Sequence, residues 1–358
     1  NIFFQKRIKL DDKINKKLSV RQKEDSIQLA VEKQNLKKQE ILTENAKKLN
    51  EETEKVLLMF EVGVAVAIVF LIVVITFLVI VYYQWKRTRS QNLIIENQHK
   101  QLDQSHKEIT DSINYAKNIQ DAMMTSRVYL KDVLPKSFIF FKPKDVVSGD
   151  FYWIYKDQED NIFFTVADCT GHGVPGAFMS MIGTSLLNEI IIEKEIKDTD
   201  KILYEMRAQI IKSLGQEQEG AQKDGMDISL CKLNMKNKTV EFSGAHNSLV
   251  HIRGEELKTY RGDHQPVGLL LGDKKPFTKH KVKLKKNDML YIYSDGYQDQ
   301  FGGEKGKKYM AAKFKNQLLK ISKETEDQQL SLLDKEFSSW IKDYEQVDDV
   351  CVMGVRII

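Results

Sequence analysis

An uninterrupted apolar run dominates the hydrophobic pattern of the first third of the chain. The 22 residues from Val62 to Tyr83, VGVAVAIVFLIVVITFLVIVYY, carry no charge. As an α-helix the run is about 33 Å long, which is enough to cross a bilayer core of about 30 Å. The sequence YYQWKRTR at its end joins aromatic to basic residues, as is typical of a membrane boundary. We therefore predict a transmembrane helix at 57–84, rather than a buried core helix or a signal peptide.

Charged segments with helical character flank this run on both sides. Residues 1–56 are rich in Lys, Glu and Gln and contain neither Pro nor Gly. This composition predicts a helical connector or one half of a coiled coil. The chain opens on Asn1 rather than Met, so we expect a further region upstream.

The segment 85–128 carries apolar side chains at a seven-residue spacing, which predicts a coiled-coil seam and a homodimer formed through 95–123. The positions are Ile95, Leu102, Ile109, Ala116 and Met123. The second seam position is often polar, as at Gln98 and Ser105, so we expect a marginal coil. A marginal helix suits a signal relay, and a static spacer is the alternative.

From 129 to 358 the pattern changes to short alternating runs separated by longer helical ones. Strands are predicted at 138–141, 151–155, 162–167, 228–234, 239–243, 249–253, 257–260, 280–284, 289–293 and 350–357, and helices at 175–194, 199–214, 308–322 and 327–343. Strands joined by short turns, with helices in two pairs, predict an α+β sandwich.

Charge and cysteine content narrow the function classes. The 55 basic and 51 acidic residues leave a net charge of +4, and the basic residues are not clustered, so nucleic acid is not an expected partner. Cys169, Cys231 and Cys351 lie far apart and lack metal-ligand spacing, which indicates a reducing compartment and neither a disulfide framework nor a zinc site.

Two carboxylates mark the ends of a predicted hairpin. In GDFYWIYKDQEDNIFFTVADC, Asp150 comes just before the first strand and Asp168 just after the second, and their midpoint is residue 159, within the turn. Antiparallel pairing about that midpoint places the two side chains side by side. Like charges in that position require a cation between them, which indicates a metal ion.

Further acids recur at predicted strand ends, commonly beside Gly, and they are Asp224, Asp227, Asp295, Asp299, Asp348 and Asp349. Each alone has an ordinary interpretation as a turn residue. Together they favour a site for a hard cation with oxygen ligands, such as Mg²⁺ or Mn²⁺.

Other chemistries suit the motif DCTGHG less well. As a triad base His172 would need a nucleophile and an orienting acid in reach, and the sequence has no nucleophile-elbow pattern, so a turn or supporting role is favoured. Cys169 has no context that would activate its thiol. The motif also lacks the Gly-Lys-Ser/Thr ending of a P-loop.

The motifs VVSGDFYW, VADCTGHGVPGAFMSMIG, DGMDISLCKLN, YSDGYQDQFGG and VDDVCVMGV, in this order, resemble those of a known family. They are similar to the metal-dependent serine/threonine phosphatases of the bacterial stage II sporulation protein E type, within the type 2C (PPM) superfamily. The segment EITDSINYAKNIQDAMM resembles the helix that precedes this domain in membrane-bound members. The resemblance implies an αββα sandwich of two antiparallel sheets with two Mn²⁺ or Mg²⁺ ions at one edge.

The resemblance also implies roles for individual residues. Asp150 and Asp168 would be the catalytic metal ligands, with Asp168 bridging, and the backbone carbonyl of Cys169 would be a ligand where the wider superfamily usually has Gly. The other residues implied are Asp295 and Asp348 as metal ligands, Asp349 as the alternative to Asp348, and Asp227 and Asp299 at an additional metal position. The wider superfamily binds phosphate through an upstream Arg, for which this chain offers only Lys142 and Lys144.

The function implied is hydrolysis of phosphomonoesters on a cytosolic regulatory phosphoprotein by metal-activated water, with His172 a candidate to assist the leaving group. The expected location is the inner or cell membrane, with a single span and a cytoplasmic C-terminal domain. The count of Lys and Arg alone leaves the orientation open, because AKKLNEETEK before the span also carries three lysines. A catalytically inactive signalling or receptor module on the same fold is the alternative, and another two-metal enzyme, such as a nucleotide cyclase or phosphodiesterase, is a second one.

Overall fold

The structure is a computed structural model that describes residues 33, 37–38, 55–216, 223–269 and 275–358. It divides into two compact units, Asn1–Leu102 and Asp103–Ile358. The connector predicted at 1–56 lies almost entirely outside the described residues.

Within the described residues the strands, in chain order, are β1 (Ser137–Lys142), β2 (Phe151–Lys156), β3 (Asn161–Cys169), β4 (Gly225–Asn234), β5 (Thr239–Ala245), β6 (Leu249–Arg253), β7 (Glu256–Tyr260), β8 (Val267–Gly268), β9 (His280–Lys283), β10 (Met289–Tyr293), β11 (Phe301–Gly302), β12 (Lys307–Lys308) and β13 (Val350–Arg356). The helices are α1 (Lys55–Met123), α2 (Arg127–Val133), α3 (Gly173–Leu187), α4 (Thr199–Ser213), α5 (Gly296–Asp299), α6 (Ala311–Ile321) and α7 (Glu326–Ile341), and a π-helical turn at Asn188–Glu193 continues α3.

Helix α1 contains both the apolar run and the predicted coiled-coil segment. By length and composition it could cross a membrane, and its apolar window is not buried within the protein. The helix Gly173–Glu193 passes the same test, but 56% of its window is buried, as in a core helix. Along α1 the seam residues Ile95, Leu102 and Ile109 are exposed. The membrane span and the homodimer remain predictions.

Two antiparallel sheets form the centre of the C-terminal unit. The first has the strand order β1-β13-β10-β6-β7, and the second has the order β2-β3-β4-β5-β9, with β8 also paired to β4. Helices α3 and α4 pack on the second sheet, and α6 and α7 pack on the first. The predicted αββα sandwich is confirmed.

Period-two alternation along the strands produces these layers. In β1, Ile139 faces the space between the sheets, whereas its neighbours Phe138 and Phe140 face the helices α6 and α7. In β2, Tyr152 faces the space between the sheets and Phe151 faces α3. Both faces of these two strands are therefore apolar, and each large side chain so buried contributes roughly 1.5–3 kcal/mol.

The element boundaries predicted at Asp168, Asp227 and Lys308 are wrong. Asp168 and Asp227 lie inside β3 and β4, not beyond their ends, because the ladder continues through the pair Asp168 and Asp227 to Cys169 and Met226. The helix predicted from Lys308 begins at Ala311, because Lys308 pairs with Phe301 in a small two-stranded sheet.

The segment that follows α1 covers an exposed sheet edge. Strand β2 ends the second sheet, so some of its backbone groups have no partner strand. The Ile154 N–H donates to Thr125 Oγ1 at 2.9 Å, and the Lys156 N–H donates to Tyr129 Oη at 3.2 Å. The end of α1 and the start of α2 are thereby attached to the hairpin of β2 and β3.

Candidate metal and phosphate site

The strand register brings three acids into one row across the second sheet. Phe151 pairs with Ala167, so the predicted midpoint at residue 159 is confirmed and Asp150 faces Asp168 one step further along. On the other side of β3, Asp168 pairs directly with Asp227 of β4. Asp168 is therefore the central carboxylate of the row.

The first sheet supplies further acids to the same edge. Asp295 follows β10 by two residues and begins α5, and Asp348 precedes β13 by two residues. Because β10 and β13 are antiparallel neighbours, the end of one strand meets the start of the other. The Ser294 N–H donates to the Cys351 carbonyl at 3.0 Å, which holds these two ends together.

Burial and mutual repulsion disfavour ionisation of the acids in this cluster. Burial, followed by the charges of Asp295 and Asp348, raises the pKa of Asp168 to about 8. Burial, followed by the charges of Asp299 and Asp348, raises the pKa of Asp295 to about 6. The pKa of Asp150, which is 1% exposed, is raised well above its usual value, first by burial and then by Asp168. The edge therefore has a strong preference for protons or cations.

Two of the acids are held by protein donors inside the cluster. Ser294 Oγ donates to Asp150 Oδ2 at 2.5 Å and accepts the Cys351 N–H at 2.9 Å. His246 Nδ1 is 2.7 Å from Asp227 Oδ1. These contacts orient the carboxylates before any ligand binds, as the hydrogen-bond partners of metal ligands do in metal sites.

The neighbours Asp348 and Asp349 have different environments. Asp349 is 2% exposed, and its oxygens accept the backbone N–H groups of Lys144 and Gly149, both at 2.7 Å. Asp348 is half-buried, and its repulsion acts on Asp168 and Asp295. The geometry thus favours Asp348 as a ligand. Asp349 instead holds the loop before β2 through these two hydrogen bonds.

A glycine turn lets the backbone approach the acids. Gly171 has φ of 85°, a left-handed conformation that Gly adopts without strain. A Cβ added to Gly149 would lie 2.5 Å from the Gly171 carbonyl oxygen and 3.4 Å from that of Cys169. The predicted backbone ligand, the Cys169 carbonyl, therefore lies beside the loop that carries Asp150. The Cys169 thiol is buried in the apolar layer below, and burial raises its pKa well above the usual range.

The two candidate phosphate-binding lysines have different surroundings. Lys144 Nζ is 3.1 Å from His172 Nε2, and His172 Nδ1 is 2.8 Å from Asp145 Oδ2. This exposed group lies at the N-terminus of α3, next to the loop of Asp150. Lys142 is not brought to the site, since its Nζ is 3.8 Å from Asp334 and 5.4 Å from the ring centre of Phe337.

Asp299, predicted at an additional metal position, is paired with a protein cation. Lys308 Nζ lies 2.7 Å from Asp299 Oδ2, and Lys308 is carried by the small hairpin after α5. Within the described residues, no three His, Cys, Asp or Glu side chains are already arranged to hold a metal ion. The carboxylates of Asp150, Asp227 and Asp299 each contact a protein partner, which is Ser294, His246 and Lys308, respectively.

Sequence patterns missed three supporting residues: Ser294, His246 and Gln120. Their partners lie 144, 19 and 28 residues away along the chain, so no local spacing signals them.

A cavity of about 450 Å³ lined by Lys136, Asn287 and Arg356 is separate from this site, because Arg356 ends β13 and Asp348 precedes its start.

Comparison with known proteins agrees with this geometry. Phosphoserine phosphatase RsbU of Bacillus subtilis is 28% identical over 207 residues, which are 56% of this chain and 57% of RsbU, so the chain spans just over half of that relative's length. The SiaA-PP2C domain of Pseudomonas aeruginosa aligns with a TM-score of 0.65 and 28% identity, covering 71% of this chain and 99% of that domain.

A second solved structure supports the fold alone. The PP2C phosphatase domain of SpoIIE from Bacillus subtilis, with a fragment of its regulatory domain, aligns with a TM-score of 0.50 and 20% identity over 62% of this chain and 61% of that one.

The family model for stage II sporulation protein E matches residues 158–358, more than half of the chain. The resemblance seen in the motifs is therefore confirmed, and the chain belongs to the stage II sporulation protein E (SpoIIE) family.

Proposed function

We propose that residues 129–358 form a metal-dependent protein serine/threonine phosphatase that hydrolyses phosphomonoesters on a regulatory phosphoprotein. The observation that carries the proposal is the set of carboxylates that both sheets bring to one edge, Asp150 and Asp168 from one sheet and Asp295 and Asp348 from the other. Membership of the SpoIIE family supports it, as does the similarity to RsbU, a phosphoserine phosphatase.

The donor set fits two hard divalent cations, Mn²⁺ or Mg²⁺. Every side-chain donor is a carboxylate oxygen, and hard cations prefer such ligands. The residues that would hold the ions are Asp150, Asp168, Asp295, Asp348 and, through its carbonyl, Cys169, with Asp227 and Asp299 beside an additional position. Such ions supply Lewis acidity and offset the charge of the phosphoryl group.

The protein's own groups orient and bind. Ser294 and His246 hold the Asp150 and Asp227 carboxylates in place, so little reorganisation is needed when a cation arrives. Lys144 offers an ammonium group at the rim, where it is placed to bind a phosphoryl oxygen. His172 beside it, whose Nδ1 faces Asp145 and whose Nε2 faces the Lys144 ammonium group, holds Lys144 in this position.

The proposal also includes the location of the chain and the control of its activity. A single span formed by α1 anchors the chain in the inner or cell membrane, with the catalytic domain in the cytoplasm, where phosphoproteins and the metal ions are available. The length and apolar composition of α1 support this. The exposed seam residues Ile95, Leu102 and Ile109 pair two chains, and changes in this helix set the activity of the domain.

The catalytic proposal is tested with the full chain purified in detergent. We expect Mn²⁺-dependent hydrolysis of p-nitrophenyl phosphate, and we expect Asp168→Asn to reduce it by at least about a hundredfold, because the central carboxylate of the row is lost. Asp160→Asn is the matched control at the other end of the same hairpin, where Asp160 pairs with Lys156 and Lys236. A folded chain that binds no metal and hydrolyses nothing would instead favour the inactive signalling module.

The raised pKa values predict an unusual dependence of stability on pH in the metal-free chain. An unfolded Asp has a pKa of about 3.9. The protonated forms of Asp295 and Asp168 stabilise the fold, and this contribution is lost as pH rises through about 6 and about 8, respectively. With chelator present, we expect the Tm to fall between about pH 5 and about pH 9 and added Mn²⁺ to restore it.

Thermal unfolding followed by circular dichroism checks this dependence. Asp168→Asn removes one titrating group without changing the side-chain size, so the Tm of this variant should depend less on pH. A Tm that rises across the same pH range would contradict the assignment of a repulsive acid cluster.

Membrane anchoring predicts the behaviour of the chain in cell fractions. The full chain should stay with membranes after an alkaline carbonate wash, whereas a chain lacking 62–83 should become soluble. In spheroplasts, protease added outside should leave the 129–358 domain intact. Release of the full chain by carbonate, or digestion of the domain from outside, would refute the location.

The coiled-coil seam is tested by placing a carboxylate in it and, for comparison, outside it. Ile109→Glu places a carboxylate in the seam, and Lys107→Glu places one on an exposed neighbouring position. We expect Ile109→Glu to weaken dimerisation at least about tenfold, as measured by sedimentation in detergent, and to change the hydrolysis rate, while Lys107→Glu changes neither. A parent chain that stays monomeric at high concentration would rule out this mode of control.

A further inference from the structure

One buried side chain joins the last turn of α1 to the loop that carries Asp150. Gln120 is 4% exposed. Its Nε2 donates to the Ser148 carbonyl at 2.6 Å and to Ser180 Oγ at 2.8 Å, and its Oε1 accepts the Ser148 N–H at 3.1 Å. A single amide therefore pairs with both backbone groups of Ser148, in the way that a neighbouring strand would.

The position of Ser148 bears directly on the acids. Ser148 lies two residues before Asp150, and the intervening Gly149 donates its N–H to Asp349 Oδ2. All three residues, 148–150, are buried, and they precede the first paired residue of β2, Phe151. Gln120 thus supplies the backbone partner that the sheet does not provide at this point. Because peptide units are rigid, fixing Ser148 strongly limits where the Asp150 carboxylate can lie.

Gln120 is itself held firmly on the domain. The inward face of the helix end consists of Ile113, Ala116, Lys117 and Gln120, at helical spacing and each at least half-buried, and Met124 just after the helix is half-buried too. The chain beyond them is attached to β2 through Thr125 and Tyr129. Gln120 and the acids belong to one compact unit, Asp103–Ile358.

We infer that Gln120 is a positioning residue of the metal site, which sets the place of Asp150 through Ser148; this rests on the proposed metallophosphatase. A shift of α1 by one residue rotates its face by about 100° and would carry the amide away from Ser148. The affinity of the acids for metal therefore depends on the register of α1. Loss of such supporting contacts typically costs a metal site 10- to 100-fold in affinity.

The test replaces Gln120 with Met, which has a similar length but cannot form these hydrogen bonds. Gln104→Met is the matched control, because Gln104 lies on the same helix, is exposed and bonds to Glu108 of that helix. Ser180→Ala, which removes one of the three contacts, is a milder variant in case Gln120→Met does not fold. Each full chain is compared with the parent in detergent by amide hydrogen exchange of the 146–151 segment without metal, and by Mn²⁺ competition with a fluorescent chelator.

We expect Gln120→Met to accelerate exchange at 148–150 and to weaken Mn²⁺ binding about tenfold or more, with a smaller effect for Ser180→Ala and none for Gln104→Met. At saturating Mn²⁺ the KM for p-nitrophenyl phosphate should equal that of the parent and the rate should recover, which a general loss of structure would not produce. Unchanged exchange, or faster exchange with unchanged Mn²⁺ affinity, would overturn the inference.

The outcomes separate this inference from the proposed function. A parent chain that binds Mn²⁺ but hydrolyses no phosphomonoester would refute the phosphatase, while the affinity comparison would still decide the role of Gln120. A parent chain that binds no Mn²⁺ would overturn both.

Discussion

The repulsion between carboxylates buried at one edge of the two sheets is the constraint on which the rest of the domain depends. Asp168 lies between acids of its own sheet and faces those of the other, where the low dielectric strengthens every like-charge interaction. Such a cluster persists only if the surrounding fold is stable enough to tolerate it. The three apolar layers on and between the sheets provide that stability, and the acids lie at their rim.

The protein relieves this repulsion unevenly, and the pattern separates two kinds of acid. Asp349 and Asp299 are satisfied by protein donors, the former by two backbone N–H groups and the latter by Lys308. Asp168 and Asp295 face mainly other carboxylates, and their pKa values are raised accordingly. At the position near Asp299, a metal ion would have to compete with the ammonium group of Lys308, so this position should be the weaker one.

Much of the fold could be predicted because it follows from local patterns. The alternation in β2 and β3 and the midpoint of their turn determine the register that sets Asp150 opposite Asp168. The two helix pairs and most strands follow from periodicity in the same way. The extension of β3 through Asp168 could not be predicted from the local pattern, because it depends on pairing with β4, which lies more than fifty residues away. Ser294 and His246 were missed for the same reason, since a lone Ser or His carries no pattern until the sheets are assembled.

The burial of all three thiols has a consequence for the chemistry that this domain can withstand. Cys169, Cys231 and Cys351 lie in the packed layers, and burial raises the pKa of each thiol well above its usual range. A neutral, inaccessible thiol reacts slowly with oxidants and alkylating agents. The folded domain should therefore keep working through oxidative conditions that silence enzymes with a thiolate nucleophile. Its cysteines become reactive only when the sandwich opens, so the rate of thiol labelling reports how often the layers separate.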